Sequence, residues 1–146
     1  MSSVNVFSAP HIAALMDFAM RRLVAELKAS TTVYRGDLRA SHYRLLSMIP
    51  DEGARITDLA EIAAMTKQAL GQFVDYLQSR GYVESVRSEQ DRRVRLVRRT
   101  AKGTAARDVA LEAIAGVERM WRSELGDERY EAMCDALSEI GQVARV

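Results

Sequence analysis

The alternation of apolar and polar positions predicts helices at both ends of the chain and a short β-hairpin between them. Ile12, Leu15, Met16, Ala19, Met20, Leu23, Val24 and Leu27 recur at helical spacing after Pro10, which suits a first helical turn. The stripe is wide, so this first helix is expected to be buried on more than one side. Residues 1–9 show no periodicity and read as an arm. Ser30-Thr31-Thr32 loosens the helix and Gly36-Asp37 marks a loop. A second helix is expected from Ala40 to Ile49, with Ser41 as a cap and Tyr43, Leu46 and Ile49 on one face; Pro50-Asp51-Glu52-Gly53 stops it. Ile56 fits one short β-bridge.

Thr57 is expected to cap a third helix, with Glu61 placed nearly as in a capping box and Leu59, Ala60, Ile62 and Ala63 inside. Thr66 caps a fourth, Lys67 to Ser79, whose stripe is Leu70, Phe73, Val74 and Leu77, and Gly81 ends it in a left-handed cap. Strands follow from Tyr82 to Arg87 and around Val94, Leu96 and Val97, with Arg93, Arg95 and Arg98 mostly facing out and residues 88–92 as a charged loop. Thr100 caps a long fifth helix carrying Ala105, Val109, Ala113, Ile114, Val117 and Trp121, which Gly116 interrupts. Gly126-Asp127 starts a sixth, from Glu128 to Val143, with Met133, Leu137 and Ile140 inside. The predicted fold is mostly α with one small β-hairpin.

Charge changes this picture from architecture to function. The net charge of +1 hides nine basic against four acidic groups in residues 64–103, flanked by a balanced segment before and five basic against nine acidic groups after. A basic segment between neutral and acidic ones is the layout of a localised polyanion site. A solvated strand face would give the same run of charges. The 146 residues are enough for one domain with a core, and 48% are apolar. No run reaches the length of a membrane span, and the first residues lack the basic start and long apolar core of a secretory signal. Cys134, the single cysteine, excludes an internal disulfide; a cytoplasmic setting fits.

The fourth helix supplies the candidate chemistry. Gln68 and Gln72 lie four apart and point the same way, and glutamine can pair with adenine in the major groove. Gly71 between them leaves no side chain to hold the helix off the bases. Lys67 can meet a phosphate, and Thr57 and Thr66, at the starts of two helices, are candidate backbone contacts. Alone, this face is an ordinary solvated one. The preceding helix supplies the spacing of a helix-turn-helix, with small Ala60, Ala63 and Ala64 at the crossing. The hairpin tip carries Arg92 and Arg93, which can follow a phosphate backbone and enter a minor groove. Asp91 reads as a support that holds a neighbouring guanidinium by a forked pair, or else as a local surface ion pair.

Thr57-x-Leu59-Ala60, Thr66 through Leu77, Arg80-Gly81-Tyr82-Val83, Asp91-Arg92-Arg93 and Thr100-x-Lys102-Gly103 together resemble the winged helix-turn-helix of the MarR family of bacterial transcriptional regulators. The motif likeness covers about residues 43–103, and the helix order extends it over the chain. The resemblance implies that Lys67–Ser79 is the recognition helix, Arg93 the minor-groove arginine and Asp91 its supporting acid; Arg95, on the returning strand, is a further wing candidate from the strand pattern. One departure is Arg99, where the family usually has an apolar residue, which bears on packing at the strand-to-helix join.

Residues 37–103 are thus expected to form a winged helix-turn-helix, and residues 1–36 and 104–146 a helical dimerisation region, in one continuous fold. Leu15, Met16, Met20, Leu23, Ile114, Val117, Trp121, Met133, Leu137 and Ile140 offer more apolar area than one reader can cover; a larger monomer core is the alternative. A homodimer would place two recognition helices one turn of DNA apart. The resemblance further implies a small aromatic or phenolic ligand, with Met16, Met20, Tyr34, His42, Tyr43 and Trp121 as candidate lining, though each also reads as plain core. The expected function is a ligand-responsive repressor of a pseudo-palindromic operator; the alternative is a winged-helix module that docks a protein without DNA. No catalytic constellation, cofactor motif or metal site is expected. His11 and His42 stand apart with no cysteine cluster near, and Cys134 reads as an inert thiol.

Overall fold

A computed structural model describes residues 10–30 and 36–145, apart from the side chain of Ser30. The expected arm at residues 1–9, the Thr31-Thr32 break and Tyr34 lie outside the described residues. Within them the order is α1 (Ile12–Ser30), α2 (Ala40–Met48), α3 (Ile56–Ile62), α4 (Lys67–Ser79), β1 (Val83–Arg87), β2 (Arg95–Arg99), α5 (Ala101–Leu125) and α6 (Asp127–Gly141). This is the mostly helical fold with one hairpin that the patterning predicts. No described helix is long and apolar enough to cross a membrane.

Two caps form as expected. The Thr66 hydroxyl accepts from the Ala69 amide at 3.1 Å, and Thr100 does the same for Gly103 at 3.1 Å. Gly81, at φ +78°, ends α4: its amide donates to the Gln78 carbonyl and that of Tyr82 to Leu77, the paired bonds of a Schellman motif. The turn between α3 and α4 closes the same way, with amides of Ala64 and Met65 on the carbonyls of Glu61 and Ala60, and Ala64 left-handed at φ +52°.

Several boundaries differ from expectation. Ser41 lies inside α2; the N-cap is Arg39, whose amide donates to His42 Nδ1 at 2.9 Å. Thr57 lies inside α3, whose N-cap is Arg55, with no side-chain cap bond. The isolated bridge joins Ala54, not Ile56, to Val97, because Gly53, at φ +90°, turns the chain against the Val97 carbonyl one residue earlier. Tyr82 precedes β1, its amide being used by the helix cap. Gly116 does not interrupt α5.

One core joins α2, α3, α4, the hairpin and the start of α5; Leu46, Ile49, Leu59, Leu70, Leu77 and Val83 are wholly inside it. A smaller cluster of Leu27, Ala113 and Val117, with Leu23, Ile114 and Trp121 against it, joins α1 to α5. Trp121 donates its indole N–H to Glu26 at 2.6 Å, and Arg22 pairs with Glu26 along α1 and with Glu124 across to α5. Contrary to the expectation of burial on several sides, α1 leaves Ile12, Leu15, Met16 and Met20 about half exposed or more in the single chain.

Arg99 resolves the question at the strand-to-helix join. Its guanidinium is buried and donates to the carbonyls of Leu46, at 2.9 Å, and Ile49, and to the Asp51 carboxylate. It therefore satisfies carbonyls at the end of α2, where the helix dipole favours a cation. Arg107 of α5 reaches the same carboxylate at 3.6 Å. An apolar residue here could fill the space but could not bond those carbonyls.

The base of the hairpin is tighter still. A β-carbon on Gly103 would lie 1.9 Å from the Tyr82 carbonyl oxygen, whereas one on Gly71 would meet nothing within 4 Å. Gly103→Ala is therefore predicted to destabilise the fold by about 2–3 kcal/mol, while Gly71→Ala raises its stability by roughly 0.5–1 kcal/mol, both read from urea unfolding. Arg99→Ala should cost about 3 kcal/mol, since it strands buried carbonyls and removes packing. Asp51→Asn should cost under about 1 kcal/mol because that carboxylate is largely in water. Equal losses for Arg99→Ala and Asp51→Asn would show that the ion pair, not the helix-end bonding, holds the join.

Candidate nucleic-acid interface

Helix α4 buries Leu70, Val74 and Leu77 and turns Lys67, Gln68 and Gln72 to solvent. Thr57 and Thr66 are also exposed, Thr66 while capping α4. Antiparallel pairing runs from Val83 opposite Arg99 to Arg87 opposite Arg95. Alternation then puts Val83, Ser85, Arg87, Arg95, Val97 and Arg99 on one face and Glu84, Val86, Leu96 and Arg98 on the other. Arg95 and Arg98 thus face opposite ways, and Arg98 is engaged with Glu84 at 2.7 Å. The Ser85 hydroxyl donates to Gln78 at 3.2 Å, which ties the first face to the end of α4.

The tip, residues 88–94, is held by bonds from its backbone amides to its own side chains and carbonyls. Ser88 Oγ accepts from the amides of Gln90 and Asp91, and the Val94 amide donates to the Asp91 carbonyl at 3.0 Å. Asp91 Oδ1 accepts from the Arg93 backbone amide at 3.0 Å. Among the described residues no guanidinium pairs with Asp91, so the expected forked pair is corrected: the carboxylate shapes the turn beneath Arg93 and leaves its side chain in solvent. Arg92 and Arg93 are both exposed.

Helix α4 is braced from the other side by the segment before α2. Tyr76 donates its hydroxyl to the Asp37 carbonyl at 2.6 Å, Tyr82 donates to the Asp37 carboxylate at 3.1 Å, and Arg80 lies 3.6 Å from that carboxylate. Burial, then the Asp37 carboxylate, pushes the Tyr82 hydroxyl above its usual range. His42 stacks on Tyr76 at 4.8 Å and meets Phe73 edge-on at 5.4 Å. Burial, then the Arg39 charge, lowers its pKa, partly opposed by Asp37. Its Nδ1 must be unprotonated to accept the Arg39 amide, so α2's cap and α4's packing share one neutral imidazole.

The five described candidates for ligand lining do not meet in one cavity. Met16 and Met20 are exposed on α1, Tyr43 is in the reader core, and Trp121 is in the α1–α5 cluster. His42 alone borders the open cleft of about 520 Å³ beside Asp37, Gln72, Phe73 and Tyr76. Sequence reasoning passed over Arg39, Arg87 and Tyr76; the alternation of exposed arginines on the two strands was the signal that could have found Arg87.

A helix-turn-helix followed by an arginine-tipped hairpin defines the winged-helix class. Residues 36–94, which hold α2 to α4, β1 and the hairpin tip, match the MarR family model; the Thr100–Gly103 motif lies just beyond the match. No curated protein sequence matches the chain. Among solved structures, the chain is similar to CouR from Rhodococcus jostii RHA1 bound to p-coumaroyl-CoA, at 22% identity and TM-score 0.75, covering 96% of this chain and 99% of that one. It is also similar to the transcriptional repressor CouR bound to a 23-mer DNA duplex, at 22% identity and TM-score 0.74, over 90% and 92% of the two chains. Streptococcus pneumoniae FabT in complex with DNA matches at 18% identity and TM-score 0.71, over 90% and 96%.

The depressed pKa of His42 has a definite sign. The neutral form is favoured in the folded state, so the stability it confers is complete above its ordinary value of 6.5 and is lost as pH falls through the folded value. The urea midpoint of the wild type is expected to fall from about pH 7.5 to about pH 5.5, and His42→Gln to flatten that fall. Parallel pH profiles for the two would contradict the role given to His42.

Proposed function

We propose that this protein is a sequence-specific DNA-binding transcriptional regulator that works as a homodimer. The observation that carries this is an α4 that exposes Lys67, Gln68 and Gln72, tied at its far end through the Gln78–Ser85 bond to a hairpin whose exposed Arg93 is presented by Asp91. In this reading Gln68 and Gln72 read base edges in the major groove, and Lys67, Thr57 and Thr66 meet phosphates. Arg92, Arg93 and Arg95 engage the backbone and minor groove through the wing. CouR and FabT in complex with DNA support it as relatives in fold.

The homodimer is supported by the half-exposed apolar faces: Ile12, Leu15, Met16 and Met20 on α1, and Leu137 and Ile140 on α6. Apolar area of this extent at both ends suits a symmetric partner. The dimerisation region is then 1–36 with 104–146, and the reader is 37–103. Repression, with release by a small aromatic ligand, is the finer reading; CouR, a transcriptional repressor also seen with p-coumaroyl-CoA, supports it by likeness of fold. In a dimer, Met16, Met20, His42, Tyr43 and Trp121 lie on the elements that would meet near such a ligand. A ligand could release DNA only by binding the released form more tightly than the bound one.

Sequencing of genomic fragments retained by the purified protein tests the function, and a duplex chosen in that way allows finer measurements. Arg93→Ala is expected to weaken binding strongly while the oligomer stays intact by sedimentation. Gln68→Ala should lose about 1–3 kcal/mol and relax preference at one position of each half-site. Gly71→Ala should weaken binding despite its stabler helix. Retention of no fragments above background would favour the protein-docking alternative.

A further inference from the structure

Residues directly opposite one another in an antiparallel pair share a face, and like charges placed so destabilise it. On the outer face of this hairpin the match is favourable, Glu84 opposite Arg98 with an ion pair of 2.7 Å. On the face toward α4 it is not. There Arg87 stands directly opposite Arg95, and both are exposed. Arg87 donates to the Arg92 carbonyl at 3.1 Å, a neutral partner. No hydrogen bond or ion pair engages the Arg95 side chain among the described residues. With Gln78, Ser85 and Val86 the two arginines line a cleft of about 280 Å³ between the end of α4 and the wing, and no carboxylate lines it.

We infer that this cleft holds one backbone phosphate of duplex DNA, gripped by Arg87 and Arg95 together, with Ser85 and Gln78 as further hydrogen-bonding groups. The inference rests on the DNA-binding reading and deepens it. Guanidinium groups bind phosphate oxygens through paired, charge-assisted bonds, so one phosphodiester placed between them turns a repulsive cross-strand pair into an attractive triad. Because Gln78 belongs to α4 and both arginines to the wing, the same phosphate sets the register between the two reading elements. It carries no base information. A free phosphate has the same oxygen chemistry, and the test separates the two sources.

The full-length protein is compared with Arg87→Gln/Arg95→Gln, Arg95→Gln and Arg93→Ala on a preferred and a scrambled duplex across a salt series. In the double variant the slope of log affinity against log salt should fall by about 0.9 for each protomer bound. Affinity should drop by the same factor on both duplexes. Arg95→Gln should unfold at the same temperature as the wild type or higher, since it removes a repulsion. A lower unfolding temperature would make the pair part of the fold's own bonding and overturn the site. If wild type binds and Arg93→Ala binds weakly, but the double variant keeps the wild-type slope, the cleft assignment fails and the DNA reading stands. If wild type binds neither duplex, both fail. A thermal shift with inorganic phosphate at matched ionic strength completes the test. Phosphate stabilising wild type but not the double variant, with unchanged DNA slope, would assign the cleft to a small free anion and overturn the backbone assignment.

Discussion

The wing stands where it does because the Tyr82 carbonyl and Gly103 approach more closely than any side chain would permit. Everything around that contact is arranged to keep it. The Thr100 hydroxyl donates to the Gly81 carbonyl at 2.6 Å while accepting from Gly103, and the Thr100 amide donates to the Tyr82 carbonyl at 3.1 Å. Lys102 reaches the Arg80 carbonyl at 2.7 Å and lies over the Tyr82 ring. The C-terminal end of α4, both ends of the hairpin and the first turn of α5 are thereby one rigid joint. A hairpin that keeps a fixed angle to α4 needs such a joint, because a two-stranded ribbon has little stiffness of its own.

A second set of contacts transmits position toward the terminal helices. Arg99 binds the end of α2 to β2, and Arg107 brings α5 to the same carboxylate. Asp37, in the segment between α1 and α2, is engaged by Tyr76, Arg80 and Tyr82 at the end of α4. Helix α4 is therefore bonded both to Asp37, just ahead of α2, and, through Gly81 and Tyr82, to α5. Under the proposed function, a change in how α5 sits in a dimer has a contact route to the reader through this joint.

Much of this was legible in the sequence where local chemistry decides it. The Thr66 and Thr100 caps and the Gly81 helix end follow from residue types that have few alternatives at those places. Less was legible where a distant partner decides. Ser41 and Thr57 looked like caps, yet Arg39 and Arg55 occupy those positions, because His42 folds back on its own first turn and Gly53 sets where α3 can begin. Arg99 broke the expected apolar pattern, and only the loose carbonyls of α2, about fifty residues away in the chain, explain why a cation is buried there. Asp91 was recognisable as a support but not as a backbone one. The breadth of the α1 stripe could not tell contacts within the chain from contacts with a second one, which is why its exposure departs from the expectation.

Under the proposed function, two copies of this reader grip one duplex. Hydroxyl-radical footprinting of the full-length protein on a selected genomic fragment tests it most directly. Two symmetric protected patches, with centres about 34–36 Å apart along one face of the DNA, are the predicted result. A single unsymmetrical patch, or no protection at concentrations that saturate binding, would contradict it.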